Sequence, residues 1–163
     1  MSLPTSVTVQ RINQKEGDDC QLRARQKVDR VSPDKEKIIF EKWPAWFRDK
    51  DDERLSGMSL GFCCGDGWYA IIYGLCERLE PMVAALGDGA SDFQVVQVKE
   101  KFGGLRFYAD GSTDEIEAAI NLAGELSVMT CELCGNPGSR ENDATGWWKT
   151  LCPSCRTSGQ WQR

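Results

Sequence analysis

Two pairs of cysteines constrain the fold of this chain more than any other feature of its sequence. Cys131 and Cys134 form one C-x2-C pair, and after 17 intervening residues Cys152 and Cys155 form a second. Two cysteines three positions apart in a tight turn can present both sulfurs to one ion, and a second such turn completes a tetrahedron. The spacing therefore predicts a structural Zn2+ site of four thiolates, which has no open position for a substrate.

The residues next to the cysteines also favour tight turns. Gly135 follows the first pair, where a positive φ is needed and glycine adopts it readily. Pro153 lies inside the second pair, where its ring presets φ and no donor is needed. Two alternatives remain open. One is a pair of disulfides, and the other is a rubredoxin-like iron site, which shares the C-x2-C-G and C-P-x-C motifs but has further landmarks that are missing here.

The chain contains no histidine, and this excludes several classes of site. Ser-His-Asp and Cys-His nucleophiles, histidine general bases and mixed Cys/His zinc sites all require that residue. An enzyme would have to use carboxylates, Lys, Tyr or Cys. No pair of carboxylates has a spacing that requires acid–base chemistry, so we expect no enzymatic activity.

The charge distribution and the cysteine content bear on partners and compartment. Residues 58–130 contain four basic and eleven acidic side chains, a net charge of −7 that would repel phosphate. No apolar run approaches the ~20 residues needed to span a bilayer, and no signal peptide is evident, so no membrane partner is expected. Eight cysteines in such a chain indicate a reducing cytoplasm, where C-x2-C pairs bind metal more often than they form disulfides.

Composition along the chain predicts three regions. Residues 1–35 are polar with mixed charges and are interpreted as an N-terminal arm or extension. Residues 36–130 should form an α+β core, under which the aromatic segment 38–47 packs. Residues 131–163 should form a zinc ribbon and tail that pack on this core.

The first predicted helix follows a glycine-rich loop. A short strand is expected near Met58–Phe62, with Asp66 as the helix N-cap and the helix ending before Pro81. An apolar stripe at helical spacing supports this helix. The stripe comprises Trp68, Ile71, Ile72, Leu75 and Leu79.

A β-hairpin and a second helix complete the core. Phe93–Ala109 is the hairpin candidate, with Gly103 and Gly104 supplying the positive φ angles of its turn. Ser112 and Glu115 form a capping box that opens a helix running to about Met129, on whose end the ribbon should dock. Trp147 and Trp148 should lie on the strand entering the second cysteine pair, with at least one ring buried. The predicted fold class is α+β, with a small antiparallel sheet, two main helices and a C-terminal zinc ribbon.

The hairpin contains the one cluster of cations and aromatic rings in the sequence. A surface of this kind can stack nucleobases or contact a protein. The alternative is an ordinary hairpin with its aromatic rings packed inward and its cations outward. The candidate partner-binding residues are Lys99, Lys101, Phe102, Arg106 and Tyr108.

Three stretches together resemble a known group of proteins. They are Met58–Tyr69, then Gln97–Tyr108 with its K-F-G-G-L-R-F-Y sequence, then the two cysteine pairs, with G-W and T-L ahead of the second pair. In this order they resemble a group of small uncharacterised proteins encoded by bacteriophages and prophages. The resemblance covers residues 58–155, and adjacent Cys63 and Cys64 stand where one acidic residue and one cysteine are expected. It implies a genomic context rather than a mechanism.

These features predict a non-enzymatic zinc-ribbon binding module, encoded by a phage and acting on a host or phage protein in the bacterial cytoplasm. Action against a host defence is one use a phage would have for such a protein. The alternative is a nucleic-acid-binding module that uses the ribbon and the hairpin cations, although useful binding of duplex DNA is not expected. A hydrolase or transferase based on carboxylates ranks last.

Overall fold

The computed structural model describes residues 30–143 and 145–158. Within these ranges the helices are α1 (Pro33–Lys42), α2 (Tyr69–Ala84), α3 (Asp114–Ser127) and the short α4 (Pro153–Thr157). The strands are β1 (Gln94–Lys101), β2 (Gly104–Asp110), β3 (Ser139–Asn142) and β4 (Trp148–Leu151), which form two separate antiparallel hairpins. The α+β class is confirmed. Among the helices described, none combines the length and the apolar character needed to cross a membrane.

Helix α1 attaches the segment before the core to the core itself. The predicted boundary between residues 35 and 36 falls inside this helix, and residues 1–29 of the predicted arm lie outside the described residues. Pro33 occupies the first helical turn, where its fixed φ suits the helix. Val31 is fully buried, and the Glu36 carboxylate accepts a hydrogen bond of 2.7 Å from the amide of Phe62.

The aromatic segment after α1 packs in the core as predicted. Trp43, Trp46 and Phe47 are all buried, and the first two stack with ring centroids 5.7 Å apart. Phe93, at the start of the hairpin region, meets the Trp46 ring edge-on at 5.1 Å. Burial of these large rings removes much apolar surface from water, so the segment is a structural part of the core rather than a surface groove.

The segment before α2 differs from the prediction. Residues Gly57–Leu60 form a 3-10 turn instead of a strand, because the Ser56 hydroxyl accepts a hydrogen bond from the amide of Met58 and caps the turn. Asp66 does not cap α2; its carboxylate accepts a hydrogen bond of 2.7 Å from the amide of Ser32 instead. The chain in this region is thus held by contacts with α1 that local sequence does not reveal.

Helix α2 has the predicted apolar stripe but ends later than predicted. Trp68, just before the helix, and Ile72, Leu75 and Leu79 within it are buried. The helix continues beyond Pro81 to Ala84. Since Pro81 is exposed and lies in the last turn, it removes one backbone hydrogen bond there without breaking the packed part of the helix.

The β1–β2 hairpin is confirmed, with its turn one residue earlier than predicted. Lys101 pairs with Gly104, so that Phe102 and Gly103 form a two-residue turn with φ angles of 53° and 73°. Two positive φ angles are typical of a type I′ turn, which matches the twist of the strands. Phe102 is the one non-glycine residue with positive φ among those described, and the Glu100 carboxylate stabilises the turn by accepting from the Gly103 amide at 2.7 Å.

Helix α3 begins one residue later than predicted and connects the hairpin to the cysteine ribbon. Thr113, rather than Ser112, is the N-cap and accepts from the amide of Ile116. Ile116 and Ile120 are buried in the core. At the other end, the Ser127 hydroxyl accepts from the Leu105 amide at 2.8 Å, which fixes α3 against β2 just before the chain enters the ribbon.

The loop before α2 lies directly against the ribbon, and Gly67 is where they meet. The Gly67 amide donates to the Glu132 carbonyl at 2.8 Å. A Cβ at Gly67 would overlap the backbone of Cys131, Glu132 and Gly135. We therefore predict that Gly67→Ala lowers the free energy of unfolding by about 1–3 kcal/mol, because backbone atoms cannot move aside as a flexible side chain can.

Urea denaturation of the metal-loaded protein checks this prediction, with Gly74→Ala as the matched control. Gly74 lies within α2, and a Cβ there would meet nothing within 4 Å. The control should therefore be more stable than the native protein, by up to about 1 kcal/mol. Equal stabilities for Gly67→Ala and the native protein would contradict the described packing.

Candidate metal centre

The four predicted cysteines converge on one point. Their sulfur atoms all lie within 4.8 Å of one another, and the Cys134 and Cys152 sulfurs are 3.6 Å apart. A tetrahedral ion with metal–sulfur bonds of about 2.3 Å has sulfurs about 3.8 Å apart, whereas a disulfide bond is about 2.05 Å long. All four cysteines are free thiols, so the disulfide alternative is wrong.

Two short turns aim the sulfurs inward. In the first, Gly135 has the predicted positive φ, 79°, and its amide donates to the Cys131 carbonyl at 2.9 Å. In the second, Cys152 is the N-cap of α4, Pro153 occupies the first turn, and the Cys155 amide donates to the Cys152 sulfur at 3.4 Å. Both turns thus follow from the Gly and Pro positions that the sequence analysis identified.

The second turn also lowers the pKa of one of its thiols, that of Cys152. The hydrogen bond from the Cys155 amide lowers the pKa of Cys152 to about 7. The neighbouring thiols lower this pKa as well, whereas burial opposes the shift. Because the thiolate is the form that ligates metal, this hydrogen bond favours the ligating state. Burial raises the pKa of the two thiols of the core, Cys64 and Cys76, so these remain protonated and inert.

The surroundings indicate a structural role for the cluster. Cys131 and Cys152 are buried, Cys155 is half-buried and Cys134 is exposed. In the ranges that the structure describes, no other group of three or more Cys, Asp or Glu side chains could hold an ion. Four sulfurs satisfy one tetrahedral ion completely, so the centre can stabilise the fold but has no open position for chemistry.

A buried lysine joins the ribbon to the core. The Lys149 ammonium lies 2.8 Å from the Glu132 carboxylate and 3.5 Å from that of Glu100, and all three side chains are at most 2% exposed. Glu132 lies between the first two cysteines, Lys149 is on β4, and Glu100 is on β1. We call this set the buried ion cluster.

Backbone amides complete the buried ion cluster. The second oxygen of Glu132 accepts from the Gly65 amide at 3.1 Å, and the second oxygen of Glu100 accepts from the Gly103 amide at 2.7 Å. The cluster therefore connects the ribbon, the β1–β2 turn and the loop before α2. Sequence reasoning missed it, since charged side chains are almost never fully buried unless paired and these three partners are distant in sequence.

Two more hydrogen bonds support the docking of the ribbon on the core. The Trp68 indole donates to the Thr130 carbonyl at 2.7 Å, and the Thr150 hydroxyl donates to the Gly103 carbonyl at 2.6 Å. The ribbon therefore contacts the loop before α2 and the turn of the β1–β2 hairpin, in addition to the end of α3 from which it emerges.

The five predicted partner-binding residues do not form one exposed surface. Phe102 and Tyr108 are exposed, at 58% and 40%, but Lys99 is buried at 5%. Lys101 is half-buried. Arg106 is also half-buried, and its guanidinium donates to the Leu105 carbonyl at 3.0 Å. The aromatic part of the predicted cluster is thus available to a partner, while Lys99 is not.

The ribbon adds residues that the sequence analysis did not assign to this surface. The Arg140 guanidinium lies 4.7 Å from the Trp148 ring centroid, and the Lys101 ammonium lies 5.6 Å from that of Phe102. A Cβ at Gly103, next to Phe102, would lie 3.1 Å from the Arg140 side chain and 3.2 Å from the Lys149 backbone, so the β1–β2 turn lies close to the β3–β4 hairpin. We call these four residues, Lys101, Phe102, Arg140 and Trp148, the hairpin–ribbon surface.

The prediction that Trp147 or Trp148 is buried is wrong. Trp147 is half-buried, and Trp148 is 36% exposed. The inward position on β4 belongs to Lys149, whose ammonium is paired with two carboxylates. Trp148 is consequently left at the surface, with Arg140 over its ring.

Comparison of this chain with family models, with curated proteins and with solved structures finds no match. The resemblance to phage-encoded proteins stays a prediction. What the protein does must therefore be argued from the geometry of the metal centre and of the surface beside it.

The cysteine cluster predicts one metal ion per chain. Cys152→Ser should reduce the bound metal well below one equivalent, because three thiolates with one hydroxyl form a much weaker site for a soft ion. Elemental analysis after gel filtration measures the stoichiometry. Cys76→Ala, which removes a buried thiol outside the cluster, should retain one equivalent, and equal metal content in both variants would contradict the assignment.

The buried ion cluster predicts a large effect of Lys149→Met. This change removes the ammonium that contacts two buried carboxylates and should lower the free energy of unfolding by about 3–5 kcal/mol. Replacing all three members, as Lys149→Met with Glu100→Gln and Glu132→Gln, should recover part of that loss. Urea denaturation compares these variants with Arg156→Ala, which breaks an exposed pair with Glu141 and should cost less than about 1 kcal/mol.

Proposed function

We propose that this protein is a non-enzymatic binding module in which Zn2+ on the four cysteines holds the ribbon in place and the hairpin–ribbon surface contacts a protein partner. One observation carries this proposal. Two exposed aromatic rings, each with a cation beside it, lie on separate hairpins that the buried ion cluster joins. Aromatic and arginine side chains on a rigid base are what binding hot spots require.

Zinc is the metal that best fits the donor set. Four sulfurs in a tetrahedral cage are typical of zinc or iron. A structural ribbon whose two C-x2-C pairs close around one ion is the usual setting of zinc. Elemental analysis separates the two metals directly, since stoichiometric iron in place of zinc would defeat this part of the proposal.

A protein partner is favoured over a nucleic acid because few cations are available for phosphate. Phosphate contacts would have to come from the cations of the hairpin and the ribbon, but Lys99 and Lys149 are buried. Arg156 pairs with Glu141 at 3.3 Å. The acidic segment 58–130 would oppose any approach of a polyanion.

The exposed rings support one alternative function, the binding of single-stranded nucleic acid. Phe102, Tyr108 and Trp148 each expose a substantial part of their side chains. A base that stacks on such a ring contributes about 1–3 kcal/mol without any additional charge. This alternative needs no duplex binding and uses the same part of the molecule.

The proposed biological context rests on the resemblance to phage-encoded proteins. A host or phage protein in the bacterial cytoplasm would then be the partner, and countering a host defence is one role that this context allows. The K-F-G-G-L-R-F-Y stretch, which carries much of the resemblance, contains the β1–β2 turn with Phe102 and the first residues of β2.

The double variant Phe102→Asn with Trp148→Ala tests the hairpin–ribbon surface without damaging the fold. Asn-Gly is the favoured sequence for a type I′ turn, so Phe102→Asn should relieve the strain of a positive φ while it removes the ring. We expect the double variant to stay folded and to lose a protein that the native form captures from bacterial lysate. Quantitative mass spectrometry of the captured proteins measures this loss.

Ile38→Ala is the matched control, because it removes an exposed apolar side chain from α1. It should capture the same protein as the native form. If the double variant captures it equally well, the hairpin–ribbon surface is not the binding site. Fluorescence anisotropy with labelled oligonucleotides tests the alternative function. If the native protein binds single strands and the double variant does not, the partner of this surface is a nucleic acid rather than a protein.

A further inference from the structure

The outer edge of β3 presents backbone groups that the β3–β4 pairing does not use. Thr150 of β4 directs its carbonyl away from β3, because that carbonyl accepts a hydrogen bond of 2.9 Å from the Glu132 amide. Arg140 lies opposite Thr150, so the two form a non-hydrogen-bonded pair, and the N–H and C=O of Arg140 point outward. The Asp143 amide, which donates to the Trp147 carbonyl at 2.9 Å, shows the same alternation at the other end of the hairpin.

By this alternation two residues of β3, Arg140 and Asn142, face outward with their backbone groups. All of β3 is exposed, and nothing within the described ranges of the chain bonds to these outward groups. The position before them is occupied by the chain itself, since the Gly138 amide donates to the Met129 carbonyl at 2.9 Å. The edge thus already bonds one backbone segment, in the antiparallel sense, and its next two positions are open to another.

The charges of β3 oppose pairing of this edge with a second copy of itself. If Arg140 lies opposite Asn142 of the other copy, the two Glu141 side chains face each other. If Arg140 lies opposite Arg140, two guanidinium groups meet, and if Asn142 lies opposite Asn142, Glu141 faces Asp143. Like charges directly opposite each other destabilise a pair of strands, so a strand of different sequence is the better occupant.

The arginine on this edge indicates which charge such a strand carries. Among the residues that the structure describes, Arg140 has no carboxylate partner, and its guanidinium lies over the Trp148 ring. Arg156, which also lies beside β3, is instead paired with Glu141 at 3.3 Å. A carboxylate on the added strand opposite Arg140 would therefore form a new cross-strand pair. Since Arg140 and Trp148 lie on one face of the hairpin, this strand would extend the hairpin–ribbon surface.

We propose that the outer edge of β3 binds an extended, acidic segment of the partner protein by antiparallel strand addition. The backbone groups of Arg140 and Asn142 would provide the main-chain hydrogen bonds, and the Arg140 guanidinium would select a carboxylate opposite it. This inference rests on the proposed function, because it describes how the same protein partner engages the hairpin–ribbon surface.

The test uses the full-length, metal-loaded protein and short synthetic peptides of alternating threonine and valine with one central glutamate. We expect the unmodified peptide to bind, with the largest amide chemical-shift changes in β3. Methylation of the amide nitrogens of the glutamate and of the residue two positions before it removes the donors that face β3. This should weaken binding about tenfold or more, because two main-chain hydrogen bonds are lost.

The matched control peptide is methylated at the residues directly before and after the glutamate, whose amides face away from β3. It should bind as the unmodified peptide does. The proposal is overturned if the unmodified peptide does not bind, if the shift changes lie elsewhere, or if the two methylated peptides bind alike.

Two variants of the protein test the same edge from the other side. Asn142→Pro removes an outward N–H without taking a hydrogen bond from the β3–β4 pair, so it should keep its metal and lose the peptide. Arg140→Glu should prefer a lysine counterpart of the peptide over the glutamate form. Arg78→Glu, with the same change of charge on an exposed residue of α2, should keep the native preference. An unchanged preference in Arg140→Glu would overturn the role of this arginine.

Capture from bacterial lysate separates this proposal from the proposed function. If the Phe102→Asn, Trp148→Ala variant loses the captured protein and Asn142→Pro retains it, the hairpin–ribbon surface stands and strand addition is wrong. If the double variant captures normally while the peptides behave as expected, the edge of β3 stands and the hairpin–ribbon surface is not the binding site. Self-association that Asn142→Pro abolishes would assign the edge to a second copy of this chain and would overturn the inference.

Discussion

The ion contact between Lys149 and the carboxylates of Glu132 and Glu100 is the interaction on which the arrangement of this molecule depends. An ammonium taken out of water costs several kcal/mol unless its charge is matched and its protons are bonded. Here two carboxylates surround it, and their remaining oxygens accept from the Gly65 and Gly103 amides. A different orientation of the ribbon would break the contact of Lys149 with Glu100 and the hydrogen bond from the Gly65 amide to Glu132, so the cluster favours one way of docking.

The metal centre and the buried ion cluster reinforce each other through their positions in the chain. Glu132 follows Cys131 directly, and Lys149 precedes Cys152 by three residues. Closing the two cysteine turns around one ion therefore brings the carboxylate and the ammonium together. Structural metal binding contributes folding free energy directly. The buried ion cluster then connects the ordered ribbon to Glu100 on β1. The exposed rings of Phe102 and Trp148 owe their fixed relative positions to this coupling.

Local signals in the sequence predicted the parts of the structure that depend on local chemistry. The cysteine spacing, Gly135 and Pro153 predicted the metal centre, and the apolar stripe predicted α2. Small errors arose where neighbouring residues compete for one role, as Thr113 and Ser112 do for the N-cap and Phe102 and Gly104 do for the turn.

The features that sequence reasoning missed all depend on contacts between distant segments. The Asp66 carboxylate accepts a hydrogen bond from the Ser32 amide and therefore does not cap α2 as the sequence predicted. Lys149 is buried only because Glu100 and Glu132, far away in sequence, meet it. Its inward position in turn leaves Trp148 exposed. No local pattern encodes these pairings, and they decide which side chains reach the binding surface.

Amide hydrogen exchange with and without a chelator measures whether the metal centre and the core form one coupled unit. The informative amides are those of Gly65, Gly67 and Gly103, which lie in the core and bond to Glu132 or Glu100. If they do, removing the metal abolishes protection of these three amides together with that of the ribbon, while the amide of Ile72 in α2 stays protected. Unchanged protection at all three amides would show that the core does not depend on the metal centre and that the two are not coupled.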